Sequence, residues 1–75
     1  MSSLRRQLVL CLHNKGYEVS LERGKLYSTV PDASARRHGQ IRVIDESGED
    51  YLYPAEFFTA IELPRAVRRA LQATV

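Results

Sequence analysis

Arg42-Val43-Ile44-Asp45-Glu46-Ser47-Gly48-Glu49-Asp50-Tyr51-Leu52-Tyr53-Pro54 is the stretch whose reading decides the fold. Two β-prone runs, Gln40 to Asp45 and Tyr51 to Pro54, flank Glu46-Ser47-Gly48-Glu49, and Ser-Gly between such runs is a hairpin signal. A two-residue loop at Ser47-Gly48 pairs Val43 with Leu52 and Ile44 with Tyr51, whereas a three-residue loop pairs Val43 with Tyr51. A slip of one residue moves every side chain to the other face of the strand. Both registers are open at this level, and with them whether Tyr51 and Tyr53 face core or solvent.

Working upstream, the apolar run Leu8 to Leu12 reads as a strand entering a turn at Asn14-Lys15-Gly16. Tyr17, Val19 and Leu21 then alternate with Glu18, Ser20 and Glu22, which predicts a further strand with one buried face. After a turn at Glu22-Arg23-Gly24-Lys25, the β-branched and aromatic residues of Leu26 to Val30 predict another strand, ended by Pro31. Asp32 to Gly39 suits one or two helical turns, with Asp32 capping the start and Gly39 the end, or a surface loop.

Downstream, Pro54-Ala55-Glu56 breaks the strand, and Phe57 to Leu63 supplies a last short extended segment. Pro64 suits the first position of a helix. On a helical period Val67, Ala70, Leu71 and Thr74 fall on one side and Arg65, Arg68, Arg69 and Gln72 on the other. A helix this short is marginal alone, so it is expected to dock through Val67 and Leu71.

A chain of 75 residues buries only about 60% of the surface its unfolded form exposes. That is enough for one core, so residues 1–75 read as a single domain, with a barrel over about 8–63 and a helix over about 64–73. Short strands with frequent turns predict a mostly β fold: a small antiparallel barrel of about five strands with a short C-terminal α-helix. The expected core is Leu8, Leu10, Leu12, Tyr17, Val19, Leu21, Leu26, Val30, Ile41, Val43, Leu52, Phe57, Phe58, Ile61, Val67 and Leu71.

The formal charge of +2 is too small to draw polyanions by itself. Its distribution says more: Arg5 and Arg6, Arg36 and Arg37, and Arg65, Arg68 and Arg69 are separated by the acidic Asp45, Glu46, Glu49 and Asp50. Cys11 is the single cysteine, so an internal disulfide is impossible, and a buried thiol in a reducing cytoplasm is expected. Leu8 to Leu12 is too short an apolar run for a signal peptide or a membrane span.

The segment Tyr53-Pro54-Ala55-Glu56-Phe57-Phe58-Thr59-Ala60-Ile61 resembles the end of a Src-homology-three-like barrel, where a strand leads through Pro and a single helical turn to a last strand. Over about residues 8–71 the chain also resembles a group of small uncharacterised bacterial proteins. These share a Gly-x-x-Tyr turn and strand, here Gly24-Lys25-Leu26-Tyr27, and the hairpin stretch 42–54. The resemblance implies a common Src-homology-three-like fold and assigns no functional residue. Phe57 stands where true Src-homology-three domains have a tyrosine, and the chain has no tryptophan, so it does not imply polyproline binding.

For catalysis, Cys11 and His13 share a strand face, but no third group orients them and the chain is too small for a deep pocket. Asp45, Glu46, Glu49 and Asp50 gather carboxylates around one turn, but in no calcium-loop spacing. No enzymatic activity, cofactor or metal is therefore expected. The candidate interaction surface is the hairpin, with Arg42, Tyr51 and Tyr53, together with the helix face of Arg65, Arg68 and Arg69. The expected role is that of a non-catalytic protein-interaction module, its partner another protein. The alternative is a small barrel that binds single-stranded nucleic acid or RNA through the same basic and aromatic residues.

Overall fold

The structure, a computed structural model, describes residues 7–73; the side chains of Arg68 and of 71–73 lie outside that description. Five strands, β1 (Leu8–Cys11), β2 (Leu26–Val30), β3 (Gln40–Ile44), β4 (Asp50–Pro54) and β5 (Phe58–Ala60), form one antiparallel sheet of order β4-β3-β2-β1-β5. Helix α1 (Ala33–Arg37) joins β2 to β3, a single 3-10 turn (Ala55–Phe57) joins β4 to β5, and α2 (Arg65–Ala73) follows. The mostly β fold with a C-terminal helix is as expected. Among the described residues no ladder joins β4 to β5, so the sheet is not closed into the expected barrel. With β5 only three residues long, little backbone is available to pair across that gap. No helix among the described residues is long and apolar enough to cross a membrane.

Strand β2 is shared between two ladders. Leu26 to Ser28 pair with β1, whereas Thr29 and Val30 pair with β3, so one strand serves two halves of the sheet. Val9 opposite Tyr27, Cys11 opposite Phe58 and Ile41 opposite Tyr53 then turn one face inward. There Val9, Cys11, Leu21, Tyr27, Val43, Tyr53 and Phe58 form the core, with Ile41 and Phe57 packed against it. The Leu8–Leu12 run is continuously apolar and so marks no face by itself. Pairing with β2 and β5 selects Val9 and Cys11 for this cluster, buries Leu8 as well, and leaves Leu10 half-buried and Leu12 exposed.

The hairpin adopts the three-residue loop. Val43 pairs with Tyr51 and Arg42 with Leu52, and the Asp45 N–H donates to the Glu49 carbonyl at 3.1 Å. Gly48, at φ +85°, supplies the left-handed residue that this loop needs. A Cβ there meets nothing within 4 Å, so its penalty is confined to the backbone. Gly48→Ala is expected to lower stability by about 1 kcal/mol, read from the midpoint shift in urea unfolding.

The period-two expectation for residues 17–21 fails, and the expected docking of the C-terminal helix is not met at Val67. Residues 17–21 form no strand: the Leu21 N–H donates to the Tyr17 carbonyl at 2.9 Å, closing one helical turn. Positions four apart share a side of such a turn while the position between them faces away. Leu21 is accordingly buried and Val19 is 95% exposed. Helix α2 starts just after Pro64 as expected, but Val67 is 45% exposed and does not dock it; the Leu71 side chain lies outside the described residues.

A candidate interaction surface

The connection 12–25 between β1 and β2 is tied down at its two ends and braced across its middle. Leu12 N–H donates to the Phe57 carbonyl at 2.7 Å, Gly24 N–H to Cys11 at 2.8 Å, and Asn14 Nδ2 to Leu21 at 3.0 Å. Its far side is clamped to the hairpin tip. The Glu46 N–H donates to the Ser20 carbonyl at 3.1 Å, while the Glu46 carboxylate accepts from Lys25 Nζ at 2.6 Å and the Tyr27 hydroxyl at 2.5 Å. Tyr27 in turn accepts from the Glu22 N–H at 2.8 Å. The Lys25 and Tyr27 hydrogen bonds hold Glu46 below the usual carboxylate range, and burial pushes the Tyr27 phenol up.

Beside this clamp lies a buried carboxylate. Asp45 Oδ2 accepts from the Tyr53 hydroxyl at 2.5 Å, and Oδ1 accepts from the Ser47 N–H at 2.9 Å and the Ser47 hydroxyl at 2.5 Å. Burial pushes the Asp45 carboxyl up, but the Ser47 and Tyr53 hydrogen bonds outweigh it and the net shift is downward. Burial, reinforced by Asp45, raises the Tyr53 phenol to about 12. Tyr53 is thus a core residue, 3% exposed, and the expectation that it forms part of the contact surface is corrected.

What the loop and sheet do present together is a row of rings. His13 packs edge-on against Phe57 (6.2 Å between centroids), Phe57 against Tyr17 (6.0 Å), and Tyr17 against Tyr53 (5.0 Å). Tyr51, two residues before Tyr53 on the same face of β4, is 54% exposed and extends the row past the buried ring. A depression of about 450 Å³ opens between Tyr17 and Tyr51, with Ser20, Glu49 and Tyr53 in its walls. Glu18 follows Tyr17, Glu56 precedes Phe57, and both, like Glu49, are exposed. Lys15 and Arg23 are exposed cations on the same connection, and Lys25 there is paired with Glu46.

The other expected site residues lie elsewhere. Arg42 projects from the face opposite Tyr51 and is held by Asp32 at 2.9 Å and Asp50 at 3.1 Å, so its charge is neutralised within the chain. Arg65 and Arg69 are exposed on α2, and the Arg68 side chain lies outside the described residues. The alternating pattern places Tyr17 in the core and the preceding apolar run places His13 on a strand face, so the ring row is not legible in the sequence.

The Cys11 thiol is directed to the His13 backbone, with no hydrogen bond to its ring among the described residues. Burial pushes the Cys11 thiol up, and its Sγ donates to the His13 carbonyl at 3.3 Å while the His13 ring turns to Phe57. The carboxylates of the hairpin tip also diverge: Asp45 to Tyr53, Glu46 to Lys25 and Asp50 to Arg42. Among the described residues no three His, Cys, Asp or Glu side chains gather as a ligand set. Comparison of the chain with protein-family models, curated proteins and solved structures finds no match.

Proposed function

We propose that this chain is a non-catalytic protein-interaction module of Src-homology-three-like architecture, acting in the cytoplasm, whose contact surface is the ring row from His13 through Phe57 and Tyr17 to Tyr51. The observation that carries the reading is that partly exposed aromatic rings pack edge-on against one another and are carried on a clamped loop. Pre-ordered rings lose little side-chain entropy on binding, and tyrosine is enriched among the residues that dominate interface energies. The single helical turn before β5 and the strand shared between two half-sheets support the architecture. Nucleic acid is the weaker reading, because Glu18, Glu49 and Glu56 border the row and Arg42 is already paired.

Affinity capture of the tagged chain from its own cell extract, with and without nuclease, tests this. A defined protein is expected to stay bound after nuclease treatment, and Tyr17→Ala combined with Tyr51→Ala is expected to weaken its retention about tenfold or more. Material that disappears with nuclease would establish the nucleic-acid reading instead. Loss of capture on charge reversal at Arg65 and Arg69, with the tyrosine variant unaffected, would move the contact to α2.

A further inference from the structure

We propose that the outer edge of β4 takes an added strand, and that the segment it takes is extended and basic; this rests on the interaction-module reading and specifies its partner. The parity of the hairpin ladder is set by a backbone bond at each end, Asp45 N–H to Glu49 and Ala55 N–H to Gly39. In an antiparallel pair the hydrogen-bonded positions alternate, so Val43 with Tyr51 and Ile41 with Tyr53 also exchange bonds. Asp50 and Leu52 therefore direct their N–H and C=O groups away from β3, to the side of β4 where the sheet order places no strand among the described residues. Pro54 at the end of the strand has no N–H and closes the register there.

Side chains mark the same place. Tyr51 and Leu52 are consecutive and lie on opposite faces of this edge, yet both are large, apolar and exposed, Leu52 at 38%. Edge strands are commonly guarded by charges that point along them; here the exposed centre of the edge is apolar. A strand laid along it is gripped by Tyr51 on one face and Leu52 on the other. Leu52 also borders the depression at Tyr17 and Tyr51, so a bound strand can place alternate side chains into that depression.

Charge selects the occupant. Glu49 lies at one end of the edge and Glu56 beyond the other, both exposed, whereas the Asp50 carboxylate is already paired with Arg42. A second copy docked antiparallel about Leu52 brings Glu49 beside the 55–56 segment of its mate, carboxylate towards carboxylate. A partner segment with lysine or arginine at its ends and an apolar residue between meets opposite charge at both ends.

The test uses the full chain and an immobilised array of capped synthetic peptides of alternating apolar and charged residues, basic in one set and acidic in the other. Basic peptides are expected to be retained and acidic ones not. With the best of them bound, amide exchange at Asp50 and Leu52 is expected to slow about tenfold or more, and Leu52→Pro, which removes an outward N–H together with the leucine side chain, is expected to weaken binding about tenfold or more. The exchange measurement needs no variant and so stands even if Leu52→Pro disturbs the strand. Basic peptides that bind through Tyr17 and Tyr51 with unchanged exchange at Asp50 and Leu52 overturn the edge inference and leave the module reading intact. Protection of those amides that rises with protein concentration alone assigns the edge to a second copy and overturns the basic partner. Retention of no peptide in either set overturns the edge inference, and capture from extract then decides the module reading separately.

Discussion

Leu21→Ala is expected to lower the unfolding free energy by about 3 kcal/mol, whereas Val19→Ala, two residues away, is expected to change it by less than about 0.5 kcal/mol. Leu21 is 1% exposed and belongs to the core, although it lies in the connection 12–25 and not in a strand. Truncating it removes apolar burial and leaves a cavity under the loop, and the two penalties add. The consequence extends beyond global stability. Leu21 is the apolar anchor between the turn that carries Tyr17 and the clamp at Glu46, so its loss loosens the ring row as well. Urea unfolding of both variants checks the energies, and amide exchange across 12–25 checks the loop. Equal costs at the two positions would show that the segment is a strand with one buried face and not a helical turn.

The second large effect is at Asp45. Asp45→Ala leaves the buried Tyr53 hydroxyl and the Ser47 N–H without their acceptor and is expected to cost about 2–3 kcal/mol. Tyr53→Phe, which removes one of the three donors to that carboxylate, is expected to cost about 1 kcal/mol. The pH dependence follows from the sign of the shift. Asp45 titrates in the fold below its unfolded value of about 3.9, so its contribution is fully present above that value and is lost as pH falls through the folded pKa. Glu46 and Asp32 are lowered as well, by Lys25 and Tyr27 for Glu46 and by the Ala35 N–H and Arg42 for Asp32. Stability is therefore expected to fall below about pH 4, and Asp45→Asn to flatten that limb in part. Thermal melts from neutral to acid pH measure both slopes; a variant that keeps the wild-type acid dependence removes Asp45 from the explanation.

Several features were legible in the sequence because they rest on local chemistry. Strand β2 is bounded by a turn and by Pro31, α1 is capped by the Asp32 side chain, which accepts from the Ala35 N–H at 3.0 Å, and α2 starts just after Pro64. Each depends on residues only a few positions apart, so propensity and capping suffice to find it. The hairpin was legible as a hairpin for the same reason. The rest depended on partners far along the chain. The hairpin loop, tied to Ser20 through Glu46, takes the register that puts Tyr53 inside and Leu52 out, although both were compatible with the local pattern. Pairing of β1 with β2 and β5 chose Val9 and Cys11 from a run with no preferred face. Tyr17, Val19 and Leu21 alternate as a strand does, but their turn is held by Asn14, Ser20 and the hairpin tip, and tertiary contacts override a period-two pattern when no neighbouring strand pairs with it. What the sequence by itself determined was which segments have a local conformation; which side of each segment faces the core, and hence which rings and which strand edge remain for a partner, was decided by long-range pairing, because alternation defines two faces but not which one is buried.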